Sequence, residues 1–370
     1  MEIFKFRNPT HPTLLDQGEL INDLKTIMWI ERYRDISDFE FVANAESQVQ
    51  NLLPIGTLVS HTESTEVMVV ENHEIKEDSG KETEVKITGR SFEAFLENRI
   101  VGSNKAWPTI ATAPDEYILS AALTWNQAVT LLKSHMDITQ VIDPNDAILN
   151  VLVITNVVGT GDSVQRSIRR GNVYSRLLEL MEIDNLGIKT IRPGVRSPLG
   201  FTDPKMAIVI HKGEDLSQEV AFSYATGEIQ SADYLWSNKK LKNAALVTGR
   251  WIETVVKDAS VGYARRMMFV DASDIDSSYS VAPTGTDRTN VLAAMTIRGQ
   301  AALAAQNDVA IVKTEPTKNS IVYKYREHYG VGDIITVDGE YNETTSMRIS
   351  EYVEIEDESG ESGYPTLSAI

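Results

Sequence analysis

Apolar and polar residues alternate through much of the first hundred positions, which is the pattern of strands with one buried face. The run VMVVENHEI places Val67, Val69 and Ile75 at a spacing of two, and EVKITG repeats this spacing with Val85 and Ile87. The polar segment EDSGKE between them contains a glycine and predicts a hairpin turn. After the second strand, GRSFEAFLENR predicts a short helix with one apolar face. Residues 1–103 are therefore predicted to be a first β-domain.

Helical spacing replaces this alternation in the middle of the chain. The segments TWNQAVTLLKSHM and NVYSRLLELMEIDNLG place apolar residues three and four positions apart. The second helix has Asn172 as its predicted N-cap and Gly187 beyond its end. Between the helices, the nearly continuous β-branched run AILNVLVITNVV predicts a buried strand. Residues 104–204 are therefore predicted to be an α/β insert.

Short strands return after the insert, in MAIVIHKG, EVAFSYATG, AALVTGRWIETVV and RRMMFVDAS. Residues 205–285 are accordingly predicted to be a β-rich domain. The alanine-rich segment from Thr289 to Asp308 predicts a helix, and alternating segments follow it. Residues 286–370 are predicted to be this helix plus a second β-domain. The predicted fold class is α+β and β-rich, with two similar small β-barrel domains and a helix-containing insert between them, each barrel completed where necessary by neighbouring strands.

Two acidic turns near opposite ends of the chain mark a sequence repeat. ENHEIKEDSG (71–80) resembles EYVEIEDESG (351–360), and the match extends back to IGTLVS (55–60) over VGDIIT (331–336). With four additional residues in the second copy, the strand positions Val67, Val69, Glu71, His73 and Ile75 stand over Met347, Ile349, Glu351, Val353 and Ile355. Acidic composition does not produce a shared glycine and a shared spacing of two, so the match predicts one β-unit used twice.

Both copies place a glutamate, Glu71 or Glu351, within the apolar face of a strand. A β-bulge or a barrel rim accounts for this position, because the side chain then reaches water. A pairing site at a subunit boundary is the alternative interpretation. We include both residues among the candidate subunit-interface residues.

The composition is that of a folded globular protein, with 42% hydrophobic and 24% charged residues among 370. The absence of cysteine excludes disulfides and thiolate chemistry and suits maturation in a reducing cytoplasm. The start lacks the features of a secretory signal, and no apolar run is long enough for a membrane anchor. The net charge of −18 disfavours wrapping of nucleic acid; it is compatible with simple solubility or with a surface past which DNA slides.

The charge is unevenly distributed along the chain. Residues 331–370 contain ten acidic side chains and one basic residue. A basic patch without any acid is formed by four arginines, Arg166, Arg169, Arg170 and Arg176. This patch could bind nucleic acid, contact the acidic end of a neighbouring subunit, or belong to a solvated loop. Arg166, Arg169 and Arg170 join the two glutamates as candidate subunit-interface residues.

Motifs for catalysis, metals and cofactors do not stand out. The six histidines form no HExxH or HxH pair, and no carboxylate cluster adds a metal-ligand spacing, so no metal ligand is assigned. The segment VVGTGDSVQR has Val164 where a dinucleotide-binding loop needs a third glycine, and no GxSxG or GxxxxGK[ST] motif occurs. We therefore expect no catalytic residue and no cofactor. The alternative is a carbohydrate- or peptidoglycan-active hydrolase with paired carboxylates, although the five tryptophans are scattered and do not suggest a sugar-stacking cleft.

Several segments, taken in order, resemble the tail-hub (minor tail) proteins of siphophages, which are related to the N-terminal hub part of tail-associated lysins. The segments are MWIERYRDISDFEF, KITGRSFEAFLENR, GNVYSRLLELMEIDNLG, VAFSYATGEIQSADY, LKNAALVTG, the helix with Arg298 and Gly299, and HYGVGDIITV. Together these segments span most of the chain, and the resemblance rests on their occurring in the same order as in those proteins.

The resemblance implies a structural, non-enzymatic virion protein of the tail tip that is synthesised in the host cytoplasm. It implies a homotrimer with two β-barrel domains per subunit, which together make a pseudo-sixfold hub. Such a hub joins the tail tube and distal tail protein to fibres, a spike or a receptor-binding protein, and meets the tape measure protein. DNA is held back or passes through its lumen without specific binding. Because the chain ends soon after the second unit, we expect no lysin activity.

Overall fold

The computed structural model describes residues 1–6, 17–76, 83–101, 116–136, 151–155, 157, 163–192, 206–237, 241–276, 279–304, 309–316, 322–338 and 344–370. Strands account for 46% of the structure and helices for 23%, which confirms the prediction of a β-rich fold. None of the described helices combines the length and the apolar character needed to cross a membrane. The four domain ranges given above stay predictions.

The first β-unit is an antiparallel arrangement built on alternating burial. Its strands are β1 (Ile3–Phe6), β2 (Gln17–Ile21), β3 (Leu24–Arg32), β4 (Asp38–Asn44), β5 (Leu58–His61), β6 (Met68–Lys76) and β7 (Glu84–Ser91), with a short helix α1 (Val49–Leu52) and 3₁₀ turns at Ala45–Ser47 and Phe92–Asn98. Trp29 and Phe39 stack with ring centroids 5.9 Å apart, and Phe39 lies 4.3 Å from Phe41. These fully buried rings form the centre of the core.

The middle of the chain mixes helices and strands, as its periodicity predicts. The elements are β8 (Glu116–Ala122), α2 (Thr124–Met136), β9 (Val151–Thr155), β10 (Val164–Arg169), α3 (Val173–Ile183), β11 (Gly187–Ile191) and β12 (Met206–His211). Strand β12 pairs with β9 in parallel and with β11 in antiparallel orientation. The Asn172 side chain accepts a hydrogen bond from the Ser175 backbone N–H at 2.6 Å, so the predicted N-cap of α3 is confirmed.

The remaining elements form a small helix-covered sheet and the second β-unit. They are β13 (Ala221–Ser223), β14 (Ile229–Ser237), β15 (Ala244–Thr248), β16 (Glu253–Lys257), β17 (Met267–Asp271), α4 (Gly285–Ala304), β18 (Val309–Pro316), β19 (Ile334–Asp338), β20 (Thr344–Asp357) and β21 (Gly360–Ala369), with a 3₁₀ turn at Gly262–Ala264. Helix α4 packs on the sheet β16-β15-β17. A Cβ at Gly299 would lie 2.7 Å from Val247 and from Val256, so only glycine permits this close approach.

One eleven-stranded sheet joins the two β-units. Its order is β13-β19-β20-β3-β4-β7-β6-β5-β1-β2, with β21 on the other side of β20. The long strand β20 pairs with β19 through its first half and with β3 through its second half. Among the described strands no sheet closes into a barrel, so the expected pair of separate closed barrels is replaced by two units joined edge to edge.

The repeat seen in the sequence is present as a repeated three-stranded unit. Gly56 has φ +88° and donates its N–H to the Val70 carbonyl at 2.8 Å; Gly332 has φ +103° and donates to the Ile349 carbonyl at 2.7 Å. Strands β5, β6 and β7 in the first copy correspond to β19, β20 and β21 in the second. Each copy has a bulge directly after the bonded carbonyl, at Glu71 and at Ser350.

The register of the repeat differs by one residue from the sequence alignment. Because Val70 corresponds to Ile349, the second copy has three additional residues before this strand and not four. Glu351 therefore corresponds to Asn72, whereas Glu71 corresponds to Ser350. The alignment followed the acidic residues, and the backbone bonds of the glycines show that these acids are out of register.

Candidate functional site at the seam between the repeated units

The pairing of β3 with the second half of β20 forms a seam that carries a buried charge. Residues Ile27, Trp29, Glu31 and Tyr33 point to the same side of β3 and all are buried. Glu31 thus occupies an inward position that the strand pattern reserves for an apolar side chain. A buried carboxylate needs a nearby positive charge and hydrogen-bond donors.

Arg326 supplies the positive charge from the segment before β19. Its Nη2 donates to Glu31 Oε1 at 2.6 Å, and its Nη1 and Nη2 donate to the two Glu354 oxygens at 2.8 Å each. Glu31 lies on β3 and Glu354 on β20, so one guanidinium bridges both strands of the seam. Arg326 itself has φ +66°, a left-handed conformation that costs free energy in a non-glycine residue.

Polar and aromatic neighbours complete the cluster. Ser64 donates its hydroxyl to Glu31 Oε1 at 2.5 Å, and Tyr325 donates to Glu31 Oε2 at 2.6 Å. The Tyr325 ring stacks on Tyr352 of β20 with centroids 3.8 Å apart. These contacts fix the segment around Arg326 to the sheet.

His61 is held in one tautomer by the backbone. Its Nδ1 accepts the N–H groups of Glu63 and Ser64, both at 3.3 Å. The ring proton of the neutral imidazole is therefore on Nε2, which lies 3.3 Å from Glu354 Oε2 and can donate to it. His61 adds a donor to the cluster without adding a charge in this tautomer.

The electrostatics of the cluster favour ionised carboxylates. Burial opposes ionisation of Glu31, but the charge of Arg326 and the hydroxyls of Ser64 and Tyr325 lower its pKa to about 2. Burial likewise opposes ionisation of Glu354, and its bonds with His61 and Arg326 lower its pKa. Burial would lower the pKa of Arg326, yet Glu31 and Glu354 raise it.

Three residues of the cluster have the types and the spacing of metal ligands. One ligand atom each from Glu31, His61 and Glu354 lies within 4.8 Å of the others. Such a set is suitable for a divalent cation, but the Arg326 guanidinium already lies among these atoms and bonds to both carboxylates. The cation of this cluster is thus part of the chain, and its chemistry is that of a structural cross-link.

Two further buried carboxyls continue the cluster towards the insert. Burial and the nearby charges of Glu31 and Glu93 raise the pKa of Glu66 well above its usual value. Burial also raises the pKa of Glu93, although Thr190 of β11 donates its hydroxyl to Glu93 Oε2 at 2.6 Å. Their surroundings therefore disfavour the ionised form of both carboxyls, in contrast to Glu31.

Tyr33, directly after β3, links three parts of the chain. Its hydroxyl donates to the Asn185 carbonyl at 2.5 Å, next to the insert strand β11. A Cβ at Gly187 or at Gly332 would lie 2.3 Å from the Tyr33 ring, so glycine is required on both sides. The end of β3 is therefore packed between the insert and the second β-unit.

The candidate glutamates of the sequence analysis lie in ion pairs within the chain. Glu71 accepts two hydrogen bonds from Arg90, at 2.7 and 3.0 Å, and Glu351 accepts one from Arg32 at 2.7 Å. These side chains are about one-quarter to one-third exposed. Both pairs connect neighbouring strands of the large sheet.

The candidate arginines differ in their exposure and contacts. Arg166 is buried and donates a short hydrogen bond to the Gln127 side chain of α2. Arg170 is exposed, and its carbonyl accepts a bond from Arg176. The side chain of Arg169 lies outside the described part; its backbone pairs with Glu116. Arg166 and Arg170 thus differ in burial, and the interface role of the three candidate arginines stays a prediction.

Residues in the other segments that carry the family resemblance have structural contacts. The Asp333 carboxylate accepts the N–H groups of Gly330 and Glu214, at 2.7 and 2.8 Å. The Asn243 side chain donates to the Ala264 carbonyl and accepts the Arg266 N–H, both at 2.7 Å. Arg298 forms a two-bond ion pair with Asp274. These contacts close loops and fix helices, as expected for a scaffold.

Sequence reasoning did not identify the buried cluster. The signal for Glu31 was present, because a charged residue interrupts the inward series of apolar positions in MWIERY. Its partner was not accessible, because Arg326 is 295 positions away and lies in a segment without regular pattern. The repeat alignment placed Glu354 opposite Glu74, on the other side of the strand from the five apolar-face pairs, and gave it no role.

Comparison with solved structures gives whole-chain similarity to three phage tail proteins. These are the 43 kDa tail protein of prophage MuSo2 from Shewanella oneidensis (TM-score 0.62, 13% identity, 100% of this chain and 98% of that chain), the tail protein from Neisseria meningitidis MC58 (0.56, 12%, 99% and 95%), and the prophage tail protein gp18 from Listeria monocytogenes EGD-e (0.52, 12%, 100% and 94%). At these identities the similarity establishes a common fold. No curated protein matches the sequence.

The family comparison is more specific. The model of the Siphovirus ReqiPepy6 Gp37-like protein family matches residues 11–367, which is nearly the whole chain. The resemblance to siphophage tail proteins inferred from the ordered segments is thereby confirmed. The chain belongs to the Siphovirus ReqiPepy6 Gp37-like family, and it shares its fold with phage tail proteins.

Proposed function

We propose that this tail protein is the hub of the tail tip, where three copies form a ring with pseudo-sixfold symmetry. The observation that carries the proposal is the repeated unit, in which Gly56 and Gly332 make the same backbone bond before the same bulge. A closed ring of three chains with two similar units each presents six similar surfaces. Such a ring can dock on components with sixfold symmetry.

The seam between the two β-units supports their placement in one ring. The two units share β20 and are cross-linked by Arg326, which favours a fixed relative orientation of the two units. A fixed orientation is necessary if both units are to take equivalent positions in one ring. In this proposal Glu71, Glu351, Arg166, Arg169 and Arg170 remain candidates for contacts between subunits.

The proposed partners follow from this position. The hub joins the distal tail protein and tail tube to fibres, a spike or a receptor-binding protein, with the tape measure protein above it. With a net charge of −18, a ring of these chains repels the DNA backbone, which favours passage through a lumen over binding. The two β-units are scaffold in this proposal, and the chain has no lysin activity.

Immunogold electron microscopy of tailed particles that contain this chain tests its proposed position at the tail tip. Antibodies against the purified chain should label the distal end of the tail. Label on the capsid or along the tube would contradict the proposal. In parallel, the purified chain should release no soluble fragments from peptidoglycan; release that is lost on replacement of one carboxylate would favour the hydrolase alternative.

A further inference from the structure

The three-stranded sheet β16-β15-β17 has one covered face and one open face. Ala245, Val247 and Val270 are buried on the side that packs against α4. Side chains alternate along a strand, so Leu246, Val255 and Phe269 point to the opposite side. Val255 and Phe269 are both paired with Leu246 in neighbouring strands, and they are 48% and 65% exposed. They form an apolar row across the whole sheet.

Exposed apolar residues are concentrated around this row. Fifteen large hydrophobic residues are exposed among those described, and six of them lie between residues 251 and 269: Trp251, Val255, Val261, Tyr263, Met267 and Phe269. A large aromatic side chain has roughly 150–250 Å² of accessible area, so the six together expose on the order of 500 Å². This is most of the roughly 800 Å² that each partner contributes to a stable protein interface. Single exposed apolar residues need no partner, whereas an apolar row across a sheet, with further exposed apolar residues close in sequence, is typical of an interaction surface.

The edges of the sheet are also open. Among the described residues, β16 and β17 each pair only with the central strand β15. The side chains of β16 are exposed or half-buried along its whole length. Open edges next to an apolar face are typical of a surface that another protein covers.

The distribution of charge along the chain indicates which protein covers the open face. Residues 241–276 contain five basic and five acidic residues and have no net charge, although the whole chain carries −18. Two copies of so acidic a chain repel each other over most of their surfaces. This segment without net charge is where a second copy can approach with less of this repulsion and bury apolar area.

We propose that the open face of the sheet β16-β15-β17 is the contact surface between copies of this chain. The proposal deepens the trimeric hub and rests on it. In a ring of three, each copy presents this face to a different surface of its neighbour, because contacts around a threefold axis are heterologous. The face thus supplies the contact that holds the three copies together, and the repeat supplies the six similar surfaces of the ring.

Light scattering coupled to size-exclusion chromatography tests the proposal with the full chain. The unchanged chain should have about three times the monomer mass of 41.1 kDa. The variant Val255→Ser/Phe269→Ser should need at least a tenfold higher concentration to associate, with unchanged circular dichroism. The control Val281→Ser/Val322→Ser removes two exposed apolar residues elsewhere, which are 69% and 47% exposed, and should associate normally.

The outcomes separate this inference from the proposed function. If the unchanged chain is a monomer at all concentrations, the trimeric hub itself is contradicted. If it is a trimer and the Val255→Ser/Phe269→Ser variant is an equally stable trimer, the hub stands and the assigned surface is wrong.

A labelling experiment covers the case in which the serine variant does not fold. The chain has no cysteine, so Phe269→Cys introduces a single thiol. That thiol should react at least tenfold more slowly in the assembled state than after dilution, whereas Val281→Cys should react equally in both. Equal reactivity of the thiol at 269 in both states would overturn the proposal.

Discussion

Gly56 and Gly332 occupy the same position in the two repeated units, each in a left-handed conformation and each bonded to the carbonyl before a bulge. Their surroundings differ. A Cβ at Gly56 would meet no atom within 4 Å, whereas a Cβ at Gly332 would lie 2.3 Å from the Tyr33 ring. The second copy of the unit has therefore gained a contact at the junction with β3 that the first copy lacks.

Alanine substitutions at Gly56 and Gly332 should separate the cost of backbone strain from the cost of a clash with Tyr33. Gly56→Ala should cost about 1–2 kcal/mol of unfolding free energy, because only the left-handed backbone is penalised. Gly332→Ala should cost about 2–5 kcal/mol, because the clash with Tyr33 is added. Chemical denaturation of both variants measures the difference. Equal losses would show that the contact with Tyr33 is not tight.

Removal of the central cation should destabilise the seam. Arg326→Met leaves Glu31 and Glu354 buried without their partner, and we expect a loss of about 3–5 kcal/mol. Lys324→Met in the same segment is the matched control, because its ion pair with Glu327 is well exposed and should change stability by less than about 1 kcal/mol. Adding Glu31→Gln to Arg326→Met should restore part of the loss. A loss that Glu31→Gln does not reduce would mean that packing, and not charge, explains the effect.

The buried carboxyl of Glu66 should make stability fall as the pH rises. Its pKa is raised above the ordinary value of 4.5, so in the window above pH 4.5 the folded chain holds a proton that the unfolded chain releases. Glu66→Gln removes this titration. The variant should match the parent near pH 4 and become progressively more stable than the parent towards neutral pH, by at most about 1.4 kcal/mol per pH unit.

Denaturation curves from pH 4 to pH 8 provide the measurement. Glu63→Gln is the control, because Glu63 lies in the same loop and is exposed. Its curve should run parallel to that of the parent chain. A parallel curve for Glu66→Gln as well would contradict a raised pKa of Glu66 in the folded chain.

The ion pairs of Glu71 and Glu351 should matter little for folding. Both pairs are partly exposed, so replacement of either glutamate by glutamine should change the unfolding free energy by less than about 1 kcal/mol. If both residues lie at subunit contacts, as proposed, the double variant should associate more weakly than Glu97→Gln, which alters another partner of Arg90. If the double variant associates as well as the control, Glu71 and Glu351 act only within the sheet and not at subunit contacts.

Local patterns in the sequence predicted the elements of this fold well. The alternation around Val85 and Ile87 predicted β7, and the apolar spacing with Asn172 predicted α3 and its cap. The reason is that these signals depend on neighbours within a few residues. The shared glycine and the shared apolar spacing of two likewise detected the repeat.

Long-range pairing was not predictable from the same patterns. Strand β20 serves both β-units, because its second half pairs with β3 more than three hundred positions earlier. No local signal distinguishes a strand that closes its own barrel from one that joins another unit. For the same reason, Glu31 could be suspected of being buried, but Arg326 could not be named as its partner.

The central claim is that one chain supplies two equivalent positions of a hub. Electron cryomicroscopy of the purified assembly, viewed along its axis, tests it most directly. We predict a ring of three chains whose wall contains six similar β-units around a lumen, with the β3–β20 seam inside each chain. A ring with only three β-units in its wall, or isolated single chains at all concentrations, would contradict the account.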